Sequence, residues 1–126
     1  MPSRRSTSSE GLSPALAARF TLEWGAPDGA TGFLRVEPGP LTGGAGDLRL
    51  TRAVDGRRDL MDWLADGKSA RTLRLCVMDG AGEPVAVYRF EGARPVSLQL
   101  SPLDALADDV LTESLLVHFE RVQMEI

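Results

Sequence analysis

The sequence predicts a mainly β protein: a small antiparallel β-barrel of about seven strands with one short α-helix. Three observations lead there. Apolar and polar residues alternate with period two in several short runs, as in Arg19-Phe20-Thr21-Leu22-Glu23-Trp24. Those runs are separated at regular spacing by stretches rich in Gly, Pro and Asp. In one place only, around Trp63, apolar residues recur at spacings of three and four. Short strands with a single helical excursion favour a closed or nearly closed barrel, with a small sandwich as the alternative.

The chain has 126 residues, enough for one domain with a core. Residues 1–17 are rich in Ser, Arg and small side chains and read as a flexible N-terminal arm. The single domain then occupies residues 18–126. Phe20, Leu22 and Trp24 mark the first strand, and Pro27, Asp28 and Gly29 within Gly25–Gly32 mark a turn. Phe33–Glu37 is a short return strand, Pro38–Gly46 a loop, and Asp47–Val54 the next alternating strand. In Gly56–Gly67 the residues Leu60, Trp63 and Leu64 form one apolar stripe, which gives a helix of two to three turns closed by Gly67. A helix this short is marginal alone, so these three residues are its candidate core anchors. Arg71–Asp79 and Val85–Glu91 flank the hairpin loop at Asp79-Gly80. Val96–Leu100 is a further short strand, and Pro102–Asp109 is a polar connection with room for a helical turn. Asp109–Ile126 is a long last strand with Leu111, Leu115, Val117 and Phe119 on one face.

Two strands carry apolar residues on both faces. Cys76 and Met78 lie opposite Leu73, Leu75 and Val77, while Leu116, Val122, Met124 and Ile126 lie opposite Leu115, Val117 and Phe119. A lone barrel needs one apolar face per strand, so the outer face is expected to be covered by the helix or by another subunit.

The residues offer little for chemistry. His118 is the only histidine, and Cys76, the only cysteine, lies in an apolar run that favours a buried, inert thiol. No Gly-x-Ser-x-Gly, P-loop or His-Glu-x-x-His pattern occurs. Asp79-Gly80-Ala81-Gly82 leads from strand to strand, whereas a phosphate cradle opens a helix. Asp104, Asp108, Asp109 and Glu113 lack the spacing of a 12-residue calcium loop. The expectation is therefore no enzyme activity, no catalytic residue, no cofactor and no metal. A net charge of −4 with interspersed signs argues against nucleic acid, and no apolar run is long enough to span a membrane. Arg4 and Arg5 are followed by Ser, Thr and Gly rather than an apolar stretch, unlike a secretory signal peptide.

Four stretches, in order over roughly the last two-thirds of the chain, resemble the tail tube proteins of contractile phage tails and extracellular contractile injection systems. They are Leu48-Arg49-Leu50-Thr51-Arg52-Ala53-Val54, Leu60-Met61-Asp62-Trp63, Tyr88 through Val96 with its Ala93-Arg94-Pro95-Val96 bend, and Val110 through Val117 with Glu113 at a recurrent glutamate. The family is similar in fold to the tube protein of type VI secretion. The resemblance implies hexameric rings that stack into a hollow conduit, with sheath, baseplate and other tube subunits as partners. It also implies assembly in a bacterial cytoplasm as part of a particle that can be released.

The sequence departs from the family where a longer segment usually reaches toward neighbouring subunits or the next ring. Here that segment shrinks to Pro38–Gly46, preceded by Val36 and containing Leu41, and Ala53 replaces the commoner Gly. This points to a specialised initiating or end ring, or a shortened tube subunit, with the main tube protein as the other possibility. Candidate interface residues are Val36, Leu41, Arg94, Glu113, Met124 and Ile126. Two other readings stay open: a monomeric barrel presenting the Gly25–Gly32 or Pro38–Gly46 loop to a partner, and an enzyme with a pocket in the barrel.

Overall fold

The computed structural model describes residues 14–17, 19–25, 32–66, 69–106 and 108–125. Most of the expected arm, the turn at Pro27-Asp28-Gly29, the helix stop Gly67 and the interface candidate Ile126 lie outside the described residues. The elements are β1 (Phe20–Glu23), β2 (Arg35–Pro38), β3 (Gly46–Ala53), α1 (Asp59–Asp66), β4 (Arg71–Met78), β5 (Pro84–Leu100), β6 (Thr112–Phe119) and β7 (Arg121–Met124).

All strand pairs are antiparallel, in the order β1-β4-β5-β6-β3-β2, with β7 added to β5. The mainly β class, the seven strands and the single helix are as the alternation predicts. The sheet does not close: β1 and β2, four residues each, end it on either side. The barrel is open along the seam between them.

Two boundaries differ from the sequence reading. Val85–Glu91 and Val96–Leu100 are parts of one 17-residue strand, β5, which pairs with β4 as far as Ala93 and with β6 from Arg94 onward. Conversely, the expected last strand is two strands broken at Glu120, since β6 pairs with β3 and the second half of β5, while β7 pairs with Tyr88–Glu91. Both features meet at one corner. Gly92 takes φ +68°, in the left-handed region that a side chain disfavours. A Cβ there would lie 2.9 Å from Cγ of Glu120. The Glu120 amide donates to the Glu91 carbonyl at 2.9 Å, so the sheet bends without losing that backbone bond.

The break also explains part of the double-faced apolar pattern. In β6 the buried positions are odd-numbered: Glu113, Leu115, Val117 and Phe119. Past Glu120 the parity changes, and Val122 packs against the core opposite Phe90. Cys76 and Met78 are half-buried rather than enclosed.

The core holds Leu22, Trp24, Leu48, Leu50, Leu73, Phe90, Leu115, Val117 and Phe119, with Leu60 and Trp63 brought in by α1. Phe90 and Phe119 meet edge to face at 4.9 Å, and Gly46 leaves room for the Phe119 ring, which an added Cβ would approach to 2.8 Å. The Asp79-Gly80 hairpin is a turn as expected: Asp79 Oδ1 accepts from the amides of Ala81 and Glu83 at 2.9 and 3.0 Å. The arm ends on β4, where the Leu16 amide donates to the Met78 carbonyl at 3.0 Å.

Candidate assembly site

Inward-facing positions of β3 and β6 should all be apolar, yet Arg52 and Glu113 occupy two of them. Arg52 is 0% exposed. Its Nε donates to Glu113 Oε2 at 2.8 Å, and its Nη atoms donate to both carboxylate oxygens of Asp59 at the start of α1. One guanidinium thus ties β3, β6 and the helix together, with the fork geometry that Arg offers and Lys does not. Burial is the largest single influence on Arg52 and acts to lower its pKa. The hydrogen bonds and charges of Asp59 and Glu113 outweigh it, so the pKa is raised. Asp59 shows the mirror case. Burial pushes its carboxyl up, but the Arg52 bond and charge prevail and hold it below the ordinary value.

A second arginine closes the same end. The Arg71 guanidinium lies between Trp24 and Trp63, 5.1 and 4.7 Å from the rings, and donates to the Trp24 carbonyl at 3.4 Å. Trp24 contacts Trp63 at 5.7 Å and Phe33 edge-on at 6.2 Å. Trp63 Nε1 donates to the Ser69 carbonyl at 3.0 Å, which secures the far end of α1. Leu60 and Trp63 are buried, whereas Leu64 is only half-buried.

The outer surface offers three features for contact. First, the seam between β1 and β2 forms an apolar groove of about 500 Å³, lined by Phe20, Leu34, Val36, Leu75 and Val77 with Arg35 and Glu37 at its rim. Second, the β2–β3 connection, residues 39–45, is exposed and contains Leu41. Third, residues 101–111, which join β5 to β6, present Leu103, Leu106 and Val110 to solvent at 76%, 96% and 69% exposure. The second half of β5 and the outer side of β7 add unpaired backbone at the sheet margins among the described residues.

The interface candidates distribute unevenly over these features. Val36 lines the groove and Leu41 sits on the short connection. Met124 is 61% exposed on β7, and Arg94 is exposed just past the corner, where its register partner is His118. Glu113 is placed differently: it is buried, and its carboxylate is bonded to Arg52 of its own chain. His118 is exposed, with Nδ1 2.9 Å from Asp47 Oδ1. Among the described residues no group of three or more His, Cys, Asp or Glu gathers as a metal site would require. No helix among them is long and apolar enough to cross a membrane.

The residues missed from sequence were Arg52 and Asp59 of the buried cluster, Arg71 between the tryptophans, and the exposed Leu103 and Leu106. Arg52 and Glu113 were detectable. Each continues the inward parity of its strand, after Leu48 and Leu50 in one and before Leu115 and Val117 in the other.

This architecture is shared with chains from contractile machines. A chain from the PVC sheath/tube terminator of an extracellular contractile injection system, in the extended state, superposes with TM-score 0.81 at 18% identity, over 92% of this chain and 99% of that one. A chain from the PVC sheath-tube complex gives 0.74 at 20% identity over 89% and 91%. Hcp1 from Flavobacterium johnsoniae gives 0.66 at 13% identity over 85% and 94%. The fold is therefore that of tube-type subunits. The model of the T4-like virus tail tube protein gp19 family matches residues 18–123, and the chain belongs to that family. Comparison with curated protein sequences gives no match. As a member of the tail tube family, the chain is a structural subunit of a phage tail or contractile injection tube.

Proposed function

We propose that the chain forms hexameric rings and acts as a specialised ring at an end of the tube, rather than as the repeating body of a long one. The observation that carries this is the β2–β3 connection, which spans only residues 39–45. In the family this is the segment that reaches neighbouring subunits and the next ring. A connection so short favours lateral closure over axial propagation. The fit to the terminator chain over 99% of its length, against 91% for the sheath-tube chain, supports the same choice.

Ring closure uses one contact repeated head to tail, which the open seam and the unpaired margins can supply. The partners are further copies, tube subunits below and sheath or baseplate components around them. The subunit works as a wall and carries out no catalysis. Assembly takes place in the bacterial cytoplasm, and the finished particle is released.

The test is solution mass by light scattering together with negative-stain electron microscopy, on the chain alone and on preformed tubes. Rings with the mass of six chains that decorate tube ends without lengthening would support the proposal. Growth into long tubes would reassign the chain as a main tube subunit.

A further inference from the structure

Within that ring reading, we propose that the β5–β6 loop of one subunit inserts Leu103 and Leu106 into the β1–β2 groove of a second copy, with Asp104 meeting Arg35.

The loop and the groove are complementary in chemistry. Leu106 is 96% exposed and Leu103 76%, more than any other large apolar side chains described. Apolar side chains clustered this openly mark a contact surface more often than a solvated one. The groove, at about 500 Å³, is lined chiefly by apolar side chains and falls in the size range that takes up apolar groups. The charges also match. The chain has no Lys or Arg between Arg94 and Arg121, so the loop with Asp104, Asp108 and Asp109 is purely acidic. Arg35 is exposed at the groove rim and has no ion-pair partner among the described residues. Glu37, also at the rim, sits two residues further along β2 and places the cationic side of the groove at its Arg35 end.

The placement selects a second copy as the occupant. The loop ends on β6, β3 stands between β6 and β2, and no described loop residue lines the chain's own groove. Two inter-strand steps from β6, or three from β5, put the two features roughly 10–14 Å apart at the usual strand spacing. They nevertheless share one row of register partners: Arg35 is opposite Thr51, Thr51 opposite Ser114, and Ser114 opposite Gln99, just before the loop begins. A donor and an acceptor on different surfaces of one chain are what head-to-tail closure needs.

The test mixes two full-length variants in a Cys76→Ser background, one carrying Leu106→Cys and the other Leu34→Cys. Both positions are exposed, so neither change disturbs the core. The mixture should form an interchain disulfide that neither variant forms alone. Leu106→Asp should weaken self-association by about tenfold or more. Asp104→Arg and Arg35→Asp should each weaken it, and the two together should restore it. Wild-type rings with no cross-link, and with Leu106→Asp assembling as tightly as wild type, would overturn this contact and leave the ring reading standing. A wild-type chain that stays monomeric both alone and on preformed tubes, again without cross-link, would overturn both.

Discussion

Arg52 and Glu113 face each other across β3 and β6, joined at 2.8 Å, with the guanidinium wholly shielded from solvent. Removing Arg52 leaves Glu113 and Asp59 without their shared cation, whereas removing Glu113 leaves Arg52 held by Asp59 alone. Arg52→Met is predicted to lower stability by about 3–5 kcal/mol, and Glu113→Leu by less, because Asp59 still neutralises the guanidinium. The double change to Arg52→Met with Glu113→Leu should cost less than the sum, because only the partly exposed Asp59 is then left without its partner. Urea unfolding of the four proteins measures the coupling, and strict additivity would show that the pair contributes nothing specific.

The third member of the cluster predicts a pH dependence. Asp59 has its folded pKa below the ordinary 3.8, so the folded state favours its ionised form. Its contribution is complete above about pH 3.8 and fades as pH falls through the lower folded value. Wild type should therefore exceed Asp59→Asn in stability at pH 7, with the gap narrowing only below that range. A gap that stays constant down to pH 2 would place the effect of the substitution elsewhere.

Anchoring of α1 gives a contrast within one helix. Trp63 is buried, lies under the Arg71 guanidinium, meets Trp24 at a tilt and is bonded to Ser69, so Trp63→Ala is expected to cost about 3–5 kcal/mol. Leu64 is half-buried, and Leu64→Ala should cost distinctly less. Arg71→Ala removes the cation between the rings and should cost about 0.5–2 kcal/mol. Thermal melts compare the three, and equal losses at Trp63 and Leu64 would contradict the packing described.

The corner at Gly92 separates two kinds of strain. Gly92→Ala forces a side chain into left-handed backbone, worth about 1–2 kcal/mol, and also against Glu120. Trimming the neighbour with Glu120→Ala removes Cγ and Cδ but leaves its Cβ at 3.1 Å, so it should recover only part of the steric cost. Full recovery in the double variant, read by denaturant unfolding, would mean that the backbone conformation carries no cost.

Much of this fold was legible because burial imposes period two on strands and 3.6 on helices. Phe20, Leu22 and Trp24 announce β1, and Leu48 and Leu50 announce β3. Leu60 with Trp63 announces α1, although the helix begins three residues after Gly56, at Asp59. What escaped has physical reasons. The break at Glu120 is silent in composition, since apolar residues continue on both sides of it, and only their change of parity betrays it. The joining of Val85–Glu91 to Val96–Leu100 was hidden by Gly92 and Pro95, which punctuate most strands but here sit at a bend of one. The seam was invisible because whether β1 reaches β2 depends on tertiary geometry. The stretch around Glu113 carries no sign of its partner, because Arg52 lies 61 residues earlier and draws it inward.

The long strand β5 has a consequence for how the subunit fails. It is the one strand held by β4 and β7 in its first half and by β6 in its second. Both halves of the sheet share β5, so they are expected to open together. Amides near the centre of β5 should exchange with solvent only when the whole subunit opens, and they should all report one common opening free energy. A body loaded along its length would then yield all at once or hold entire.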